Sequence, residues 1–225
     1  MKITKNTVFI TGGNSGIGRA LVKAFVEAGN QVITCGRDKE TLKALKGEFP
    51  DVEVIRADLK SDRALRMLAR KAVNANILIN NAGILKAADI VKDDYIVQNA
   101  EDEMDTNFFI PLRLIKLLIP HLEQKENSAI INITSVVAVK PYDQISTYSA
   151  SKAALHSFTQ SLRASLKNTK VFEVFPNGTD TPMVAGFDFE KVSPDFVAQE
   201  VMRGLEKNEY EIWPGKGFIS KLLGK

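Results

Sequence analysis

Cysteine, histidine and tryptophan are scarce in this sequence. Cys35 is the one cysteine among 225 residues, so no intrachain disulfide can form and a reducing compartment is expected. Two histidines and one cysteine provide no metal-ligand cluster, so no metal site is predicted. No secretory signal pattern precedes the first predicted strand, and no apolar run is long enough to span a membrane. These absences predict a cytoplasmic protein.

An excess of charge of one sign is also missing. Thirty Lys and Arg residues stand against 27 Asp and Glu residues, a net charge of +3 that is too weak to indicate a nucleic-acid surface. The tail from residue 215 to residue 225 is basic and partly apolar, so it could touch a membrane surface or a partner. It is too short to anchor the protein stably, and a docked or frayed terminus is the expected alternative. No stable membrane association is predicted.

A glycine-rich stretch stands out between Thr7 and Arg19. A β-branched and aromatic run, Val8-Phe9-Ile10, predicts a buried parallel strand, and a helical pattern follows the glycines. The glycines are spaced G-x-x-x-G-x-G from Gly12 to Gly18. A strand, a glycine turn and a helix N-terminus together can bind a pyrophosphate, because the turn brings backbone N–H groups close to it. A glycine-rich turn that binds nothing is the alternative.

Strand and helix patterns alternate along most of the chain. Residues 84–100 are polar and irregular, and a long helix is predicted from about residue 101 to residue 123, with Pro111 inside it as a possible kink. The alternation predicts one α/β domain with a doubly wound parallel sheet of about seven strands and helices on both faces. Six further strands are predicted after the first, at 31–35, 52–57, 77–79, 129–134, 170–175 and 211–213.

Unusual residues follow the predicted strands where each one ends. In open parallel sheets ligands bind beyond the carboxyl ends of the strands, so these residues should surround one cleft together with the glycine turn. They are Arg37, Asp58, Asn80 to Gly83, Ser135, and Pro176 to Thr181.

Tyr148 and Lys152 are four residues apart on a predicted helix and therefore project from one face. An ammonium near a phenol should lower the pKa of the tyrosine from its reference near ~10 and make it a general acid or base. Ser135, at the end of the fifth strand, could hydrogen-bond a substrate oxygen. A solvated helix face is the alternative interpretation of the Tyr–Lys pair.

These features together resemble the classical short-chain dehydrogenase/reductase family. The resemblance runs from about Thr7 to Met183 and rests on Thr11-Gly12-x-x-x-Gly16-Ile17-Gly18, Asn80-Asn81-Ala82-Gly83, Asn107, Ser135 and Tyr148-Ser-Ala-Ser-Lys152. It implies a single NAD(P)-binding Rossmann domain over residues 1–225 and an oxidoreductase acting on carbonyl or alcohol groups.

The resemblance also implies roles for the four matched catalytic positions. Tyr148 would exchange a proton with the substrate oxygen, and Lys152 would lower the tyrosine pKa and bind the nicotinamide ribose. Ser135 would polarise the carbonyl group, and Asn107 would hold a water that links Lys152 to solvent. The cofactor-binding positions are Gly12, Asn14, Ser15, Gly16, Ile17, Gly18, Arg37, Asp58, Leu59, Asn81, Ala82, Gly83, Tyr148, Lys152, Thr179 and Thr181.

The residues that follow the second strand predict NADP(H) over NAD(H). An acidic residue there would accept the ribose hydroxyls, but Gly36 occupies the position and Arg37 follows with a guanidinium suited to a 2′-phosphate. Asp38 could instead serve a ribose or cap the next helix. By resemblance, Asp58 would bind the adenine amino group.

Asn177 departs from the family pattern, which often has Pro-Gly where this chain has Pro176-Asn177. Asn tolerates left-handed backbone angles, so the turn should survive, and Thr179 and Thr181 should still reach the nicotinamide carboxamide. Substrate specificity is expected in the loops 84–100, 136–147 and 183–193. An apolar pocket, or the packing of a lid, is indicated by Val136, Val137, Tyr142, Met183, Phe187 and Phe189.

The sequence therefore predicts an oxidoreductase that transfers a hydride between NADP(H) and a small carbonyl or alcohol substrate. A catalytically silent NADP(H)-binding regulatory or structural protein is the alternative. A homodimer or homotetramer is expected through the helices at about 101–123 and 148–166. Within the family, four stretches resemble the oxidoreductases of bacterial D-alanine-transfer operons: Ala28 to Arg37, Pro120 to Leu122, Lys152 to Phe158 and Gly178 to Thr181.

Overall fold

The computed structural model of the chain describes residues 1–215, so the expectation for the basic tail lies outside the described residues from 216 onward. Its centre is a parallel sheet in the order β3-β2-β1-β4-β5-β6-β7. The predicted doubly wound sheet is thereby confirmed. The strands are β1 Thr7–Thr11, β2 Gln31–Gly36, β3 Glu53–Arg56, β4 Ile77–Asn80, β5 Ala129–Ile133, β6 Lys170–Val174 and β7 Glu211–Ile212.

Helices cover both faces of the sheet because successive strand residues point to opposite sides. Val8 and Ile10 of β1 pack with Phe25 on one side, whereas Phe9 packs with Leu114 on the other. Within residues 1–215 no helix combines the length and apolarity needed to cross a membrane. The helices are α1 Gly16–Glu27, α2 Lys39–Glu48, α3 Asp62–Lys71, α4 Ile96–Met104, α5 Ile110–Leu122, α6 Ser146–Ser165 and α7 Pro194–Lys207.

The strand order reverses direction between β1 and β4. From β1 the chain moves outward to β2 and β3. It then returns through the crossover helix α3, and β4 pairs with the other edge of β1. Such a switch point opens a crevice at the carboxyl ends of the two strands, since the following loops leave in opposite directions. The glycine turn after β1 and the Asn80–Gly83 stretch after β4 meet in this crevice.

The long helix predicted at 101–123 differs from the structure. It begins earlier, at Ile96, and a π-helical turn at Asp105–Phe109 separates α4 from α5. The N–H of Ile110 donates to the carbonyl oxygen of Asp105, five residues back. Pro111 has no N–H to give to the carbonyl of Asn107, which removes one α-helical bond at this place. Where the sequence predicted a possible kink at Pro111, the structure has a π-helical turn just before this proline. The turn contains Asn107.

Candidate active site

A cavity of about 1610 Å³ lies at the carboxyl ends of the strands. It brings together residues that are up to 178 positions apart, from Gly12 to Glu190. Among the residues predicted for catalysis or cofactor binding, Asn107 alone is outside its lining, and its side chain is buried behind the cavity wall. Of the strand-end residues expected around the cleft, Asn80 and Asp180 are also outside the lining. The predicted residues that line the cavity are Gly12, Asn14, Ser15, Gly16, Ile17, Gly18, Arg37, Asp58, Leu59, Asn81, Ala82, Gly83, Ser135, Tyr148, Lys152, Thr179 and Thr181.

The glycine turn requires glycine at several points. Gly12 and Gly16 have φ angles of +68° and +51°, a region that side chains rarely adopt. A Cβ on Gly18 would lie under 3.0 Å from the carbonyl oxygen of Gly12. These glycines allow α1 to start directly beside the end of β1.

The N-terminus of α1 differs from those of α2, α3 and α7. Asp38, Ser61 and Ser193 each accept a backbone N–H of the helix that follows them. Ser15 precedes α1 and makes no capping hydrogen bond with its side chain. The first N–H groups of α1 thus face the cavity with the positive end of the helix dipole, as an anion such as a pyrophosphate requires.

Thr11 and Asn81 fasten the ends of β1 and β4 together. The Thr11 hydroxyl oxygen accepts the N–H groups of Asn81 and Ala82, each at 3.0 Å. In return, the Asn81 amide donates to the carbonyl oxygens of Thr11 at 2.9 Å and Gly12 at 3.1 Å. The two strand ends therefore keep a fixed separation across the crevice.

The structure distinguishes the two roles that the sequence left open for Asp38, which are binding the ribose and capping α2. The carboxylate of Asp38 accepts the N–H of Thr41 at 2.7 Å and caps α2, and these hydrogen bonds from Thr41 hold the pKa of Asp38 below its usual value. The Arg37 guanidinium lines the cavity and makes no hydrogen bond or ion pair within the described part of the chain. Asn14 packs on Gly36 and donates to the Thr41 hydroxyl at 2.8 Å. A cation, and not a carboxylate, is thus free at this end of the cavity.

Tyr148 and Lys152 are both buried, which differs from the solvated-face alternative. The Lys152 ammonium donates to the carbonyl oxygen of Ile133 at 2.9 Å and lies 5.6 Å from the centre of the Tyr148 ring. The Ser135 side chain is within hydrogen-bonding reach of the phenol. All three polar groups therefore meet at the end of β5.

The expected lowering of the tyrosine pKa is not found in this arrangement. Burial raises the pKa of Tyr148 above its ordinary value, the charge of Glu103 adds to this effect, and the hydrogen bond with Ser135 only partly opposes it. Burial also lowers the pKa of Lys152 to about 8. The prediction counted the attraction between phenolate and ammonium but not the loss of solvation that both groups suffer.

Asn107 holds protein groups with its side chain. Its Oδ1 accepts the N–H of Ile84 at 2.9 Å, and its Nδ2 donates to the Ile84 carbonyl and to the Ser151 hydroxyl, both at 2.9 Å. The Ser151 hydroxyl donates in turn to the carbonyl oxygen of Tyr148 at 2.7 Å. Asn107 therefore ties the chain after β4 to the turn of α6 that carries Tyr148.

The turn after β6 does not depend on a left-handed Asn177, which was the predicted reason for its shape. Neither Asn177 nor Gly178 has a positive φ angle, so no left-handed residue is needed there. Instead, the Asn177 Oδ1 accepts the N–H of Gly178 at 2.9 Å. The Thr179 hydroxyl is engaged with the Asn177 carbonyl at 2.9 Å, whereas Thr181 lies beside Gly16 at the start of α1.

The wall around the Tyr148 end of the cavity is largely apolar. The six apolar residues proposed for it all line the cavity. Phe189 lies directly over Gly178, where a Cβ would approach its ring to under 3.0 Å. Val192 pairs with Thr179 at the base of the same loop. The wall residues are Val136, Val137, Tyr142, Met183, Phe187 and Phe189.

The sequence analysis assigned no individual role to Glu103, to Ser151 of the Tyr148–Lys152 motif, or to Lys86 of the predicted specificity loop 84–100. Glu103 follows two other acidic residues and looks like part of a solvated face, yet it is fully buried and accepts the N–H of Lys86 at 2.7 Å. The four-residue spacing from Glu103 to Asn107 was the available signal, since it places both on one helix face.

Known proteins show the same arrangement of chain and sheet. Residues 6–191 match the short chain dehydrogenase family. The chain is similar to the uncharacterized oxidoreductase DltE of Bacillus subtilis, with 36% identity over 94% of this chain and 89% of the relative. It is also similar in structure to a short chain dehydrogenase from Burkholderia cenocepacia in complex with NADP, with a TM-score of 0.88 and 28% identity over 96% of this chain and 90% of the other.

A more distant structure shares the fold alone. This is a short chain dehydrogenase/reductase from Burkholderia phymatum in complex with NAD, with a TM-score of 0.86 and 18% identity over 98% of this chain and 92% of the other. The similarity to DltE confirms the resemblance to the oxidoreductases of D-alanine-transfer operons.

Proposed function

This chain belongs to the short-chain dehydrogenase family, and we propose on that basis that it transfers a hydride between NADP(H) and the carbonyl or alcohol carbon of a small molecule. Tyr148 acts as the general acid or base. One observation carries the proposal: the buried Tyr148, Lys152 and Ser135 line the same cavity as the glycine turn from Gly12 to Gly18. A proton donor and an anion-binding helix end are therefore available to one bound molecule.

The residues present fit a dinucleotide. The open N-terminus of α1 suits the pyrophosphate, and Asp58 and Leu59 line the wall proposed for the adenine. Gly83 lies close to Asn107 and Lys152, since a Cβ there would be 3.1 Å from the Asn107 Oδ1 and 3.6 Å from the ammonium nitrogen. When bound, the nicotinamide supplies or accepts the hydride. The remaining chemistry, which is the movement of one proton, belongs to the protein.

Arg37 is the basis for proposing NADP(H) in preference to NAD(H). Its guanidinium has no partner among residues 1–215, while the neighbouring Asp38 is committed to capping α2. A dianionic 2′-phosphate would provide the missing partner through forked hydrogen bonds. The complex of the Burkholderia cenocepacia relative with NADP is consistent with this assignment.

The protonated phenol of Tyr148 is the form that reduction of a carbonyl requires. A phenol is already protonated at neutral pH, and burial raises the pKa of Tyr148 further, so the proton that the substrate oxygen must receive is present. Ser135 lies beside the phenol and can donate a second hydrogen bond to the same oxygen. Lys152 lies behind the phenol and can stabilise the phenolate that remains after the transfer.

A direct assay tests this proposal. The protein is incubated with NADPH and a panel of ketones and aldehydes, and the loss of NADPH absorbance is followed. Tyr148→Phe should abolish turnover and leave NADPH affinity nearly unchanged, because the hydroxyl is removed and the ring is kept. Turnover that persists in this variant would show that another group donates the proton.

The silent alternative makes a different prediction for the same assay. A regulatory or structural protein of this fold would bind NADPH tightly and oxidise none of it across the whole panel. The intact set of Asn107, Ser135, Tyr148 and Lys152 favours turnover, because a protein that only binds the nucleotide does not require a phenol and an ammonium buried together.

We also propose that the chain forms a homodimer or homotetramer through α5 and α6. Phe109 is exposed at the start of α5, and Phe108 beside it contacts Phe158 of α6 edge to face. Val97 of α4, twelve residues before Phe109, is also exposed. Exposed apolar side chains favour self-association. Sedimentation of the wild type and of Phe109→Glu tests this: a monomeric wild type would contradict it.

A further inference from the structure

Glu103 is a buried carboxylate with no place in the proposed mechanism. It lies in α4, one helical turn before Asn107, and its side chain has no contact with solvent. Burying a carboxylate is unfavourable unless its oxygens are hydrogen-bonded, so its contacts indicate what it does.

One oxygen of Glu103 binds the chain that follows β4. Oε1 accepts the backbone N–H of Lys86 at 2.7 Å. The other oxygen, Oε2, is buried on the side of Thr147, the residue that precedes Tyr148, and both Oε2 and the Thr147 hydroxyl lack a well-aligned hydrogen bond. The carboxylate is therefore placed between the cavity wall and the turn that carries the phenol.

Glu103 and Asn107 hold alternate residues of one segment without regular secondary structure, residues 84–86, which we call the wall segment. Asn107 exchanges two hydrogen bonds with the backbone of Ile84, and Glu103 accepts one from the backbone of Lys86. A neighbouring β-strand would bind the same alternate residues, so the two side chains take the place of a strand. All three residues of the wall segment line the cavity.

We propose that Glu103 is a positioning residue: together with Asn107 it fixes the wall segment, and it places a negative charge beside Thr147, the residue that precedes Tyr148. The first part concerns the folded chain alone, whereas the effect on proton transfer rests on the proposed function. The charge of Glu103 contributes to the raised pKa of Tyr148, as described above.

Several charged groups surround Glu103. Lys86 attracts the carboxylate, and its ammonium is itself held by Asp102 at 2.6 Å. Asp102 also binds Lys60 at 2.6 Å. Burial raises the pKa of Glu103, and the charge of Lys86 opposes that rise. On α6 the charge of Glu103 acts on the phenol of Tyr148.

Two substitutions at Glu103 separate the effect of its hydrogen-bond acceptor from the effect of its negative charge. Glu103→Gln keeps an oxygen that can accept the Lys86 N–H and loses the charge, whereas Glu103→Ala loses both. Glu101→Gln removes the same charge two residues away at an exposed position of α4 and serves as the matched control.

Hydrogen exchange of the Lys86 amide tests the first part of the proposal. In Glu103→Ala this amide should exchange about 10-fold faster or more, since a hydrogen bond to a charged acceptor is lost. Glu103→Gln should restore most of the protection, and Glu101→Gln should leave it unchanged. An amide that is equally protected in the alanine variant would overturn the positioning role.

Two readouts test the charge. The carboxyl ¹³C resonance of Glu103, assigned by its loss in Glu103→Gln, should show an ionised group at neutral pH, and a protonated group would overturn this part. In carbonyl reduction, Glu103→Gln should move the high-pH limb of kcat to lower pH, because the phenol then loses its proton more readily. An unmoved limb in an active enzyme would also overturn it.

These outcomes separate this proposal from the proposed function. If the Lys86 amide and the Glu103 resonance behave as expected while no carbonyl compound is reduced, the proposed function fails and the positioning role stands. If the wild type reduces carbonyl compounds and either of those two measurements fails, the positioning role fails alone.

Discussion

Lys152 should destabilise the folded protein at neutral pH, and replacing it with methionine tests this. Its ammonium is buried, and burial lowers its pKa from 10.5 to about 8. The unfolded chain therefore binds a proton more strongly than the folded chain does in this range. It follows that the stability contributed by this group is lost below its folded pKa and regained as the pH rises toward the unfolded value.

The magnitude follows from the two pKa values. One pH unit of difference corresponds to about 1.4 kcal/mol, so holding the Lys152 charge in the fold at about pH 7 costs on the order of 3 kcal/mol. Lys152→Met removes this pH-dependent cost. It also removes the hydrogen bond to the Ile133 carbonyl, but that loss is nearly the same at every pH.

Urea unfolding of the wild type and Lys152→Met at several pH values is the assay. Between about pH 7 and about pH 10 the wild type should gain roughly 2 to 3 kcal/mol of unfolding free energy relative to the variant. Lys43→Met is the matched control, because Lys43 is exposed on α2 and its removal should have the same small effect at each pH. A wild-type-to-variant difference that stays constant with pH would refute the reasoning.

Two further predictions concern the nucleotide end of the cavity. Arg37→Asp should weaken NADPH binding about 10- to 100-fold and NADH binding far less, since only NADPH carries the 2′-phosphate; equal losses in fluorescence titrations would contradict the contact. Gly18→Ala should lower the unfolding free energy by about 1–3 kcal/mol and weaken nucleotide binding, because its Cβ would press on the Gly12 carbonyl. Gly47→Ala, in open space on α2, should instead raise the unfolding free energy by about 0.5–1 kcal/mol in the same urea experiment.

The sheet and its crevice could be predicted because each depends on short, local signals. β4 reads Ile-Leu-Ile-Asn and is buried along its whole length, and an uninterrupted apolar run of that size is typical of a parallel strand covered on both faces. Gly12, Gly16 and Gly18 mark a turn whose backbone requires glycine. The parallel order then brings the strand ends to one side, so the predicted residues meet there without further information.

The ionisation of Tyr148 could not be predicted in the same way. Spacing of four residues places Lys152 on the same helix face, but it does not reveal whether that face is in water. The ammonium turns to the carbonyl of Ile133, which belongs to β5 and is 19 residues away in sequence. Desolvation by the rest of the fold then outweighs the local attraction, and the phenol pKa moves up where the sequence indicated a downward shift.

The start of the long helix and the role of Glu103 were missed for a related reason. The polar stretch before residue 100 shows no apolar periodicity, although Ile96 already begins α4. Three acids in succession, from Glu101 to Glu103, look like one solvated surface. Only the packing of α4 against α6 buries the third of them, and a contact between helices separated by more than 40 residues leaves no local pattern.

Two groups of residues at the site have opposite effects on the stability of the fold: some make stabilising hydrogen bonds, and others carry buried charges that cost free energy. The side chains of Thr11, Asn81 and Asn107 hydrogen-bond to backbone groups at or after the strand ends, which ties the walls of the cavity together. Lys152 and Glu103 are ionisable groups held in the interior, where each costs free energy in its charged form. A site made only for packing would have apolar residues at these two positions. Their presence is therefore best explained by a role at Tyr148, because the Lys152 ammonium lies 5.6 Å from the centre of its ring and the charge of Glu103 acts on its pKa.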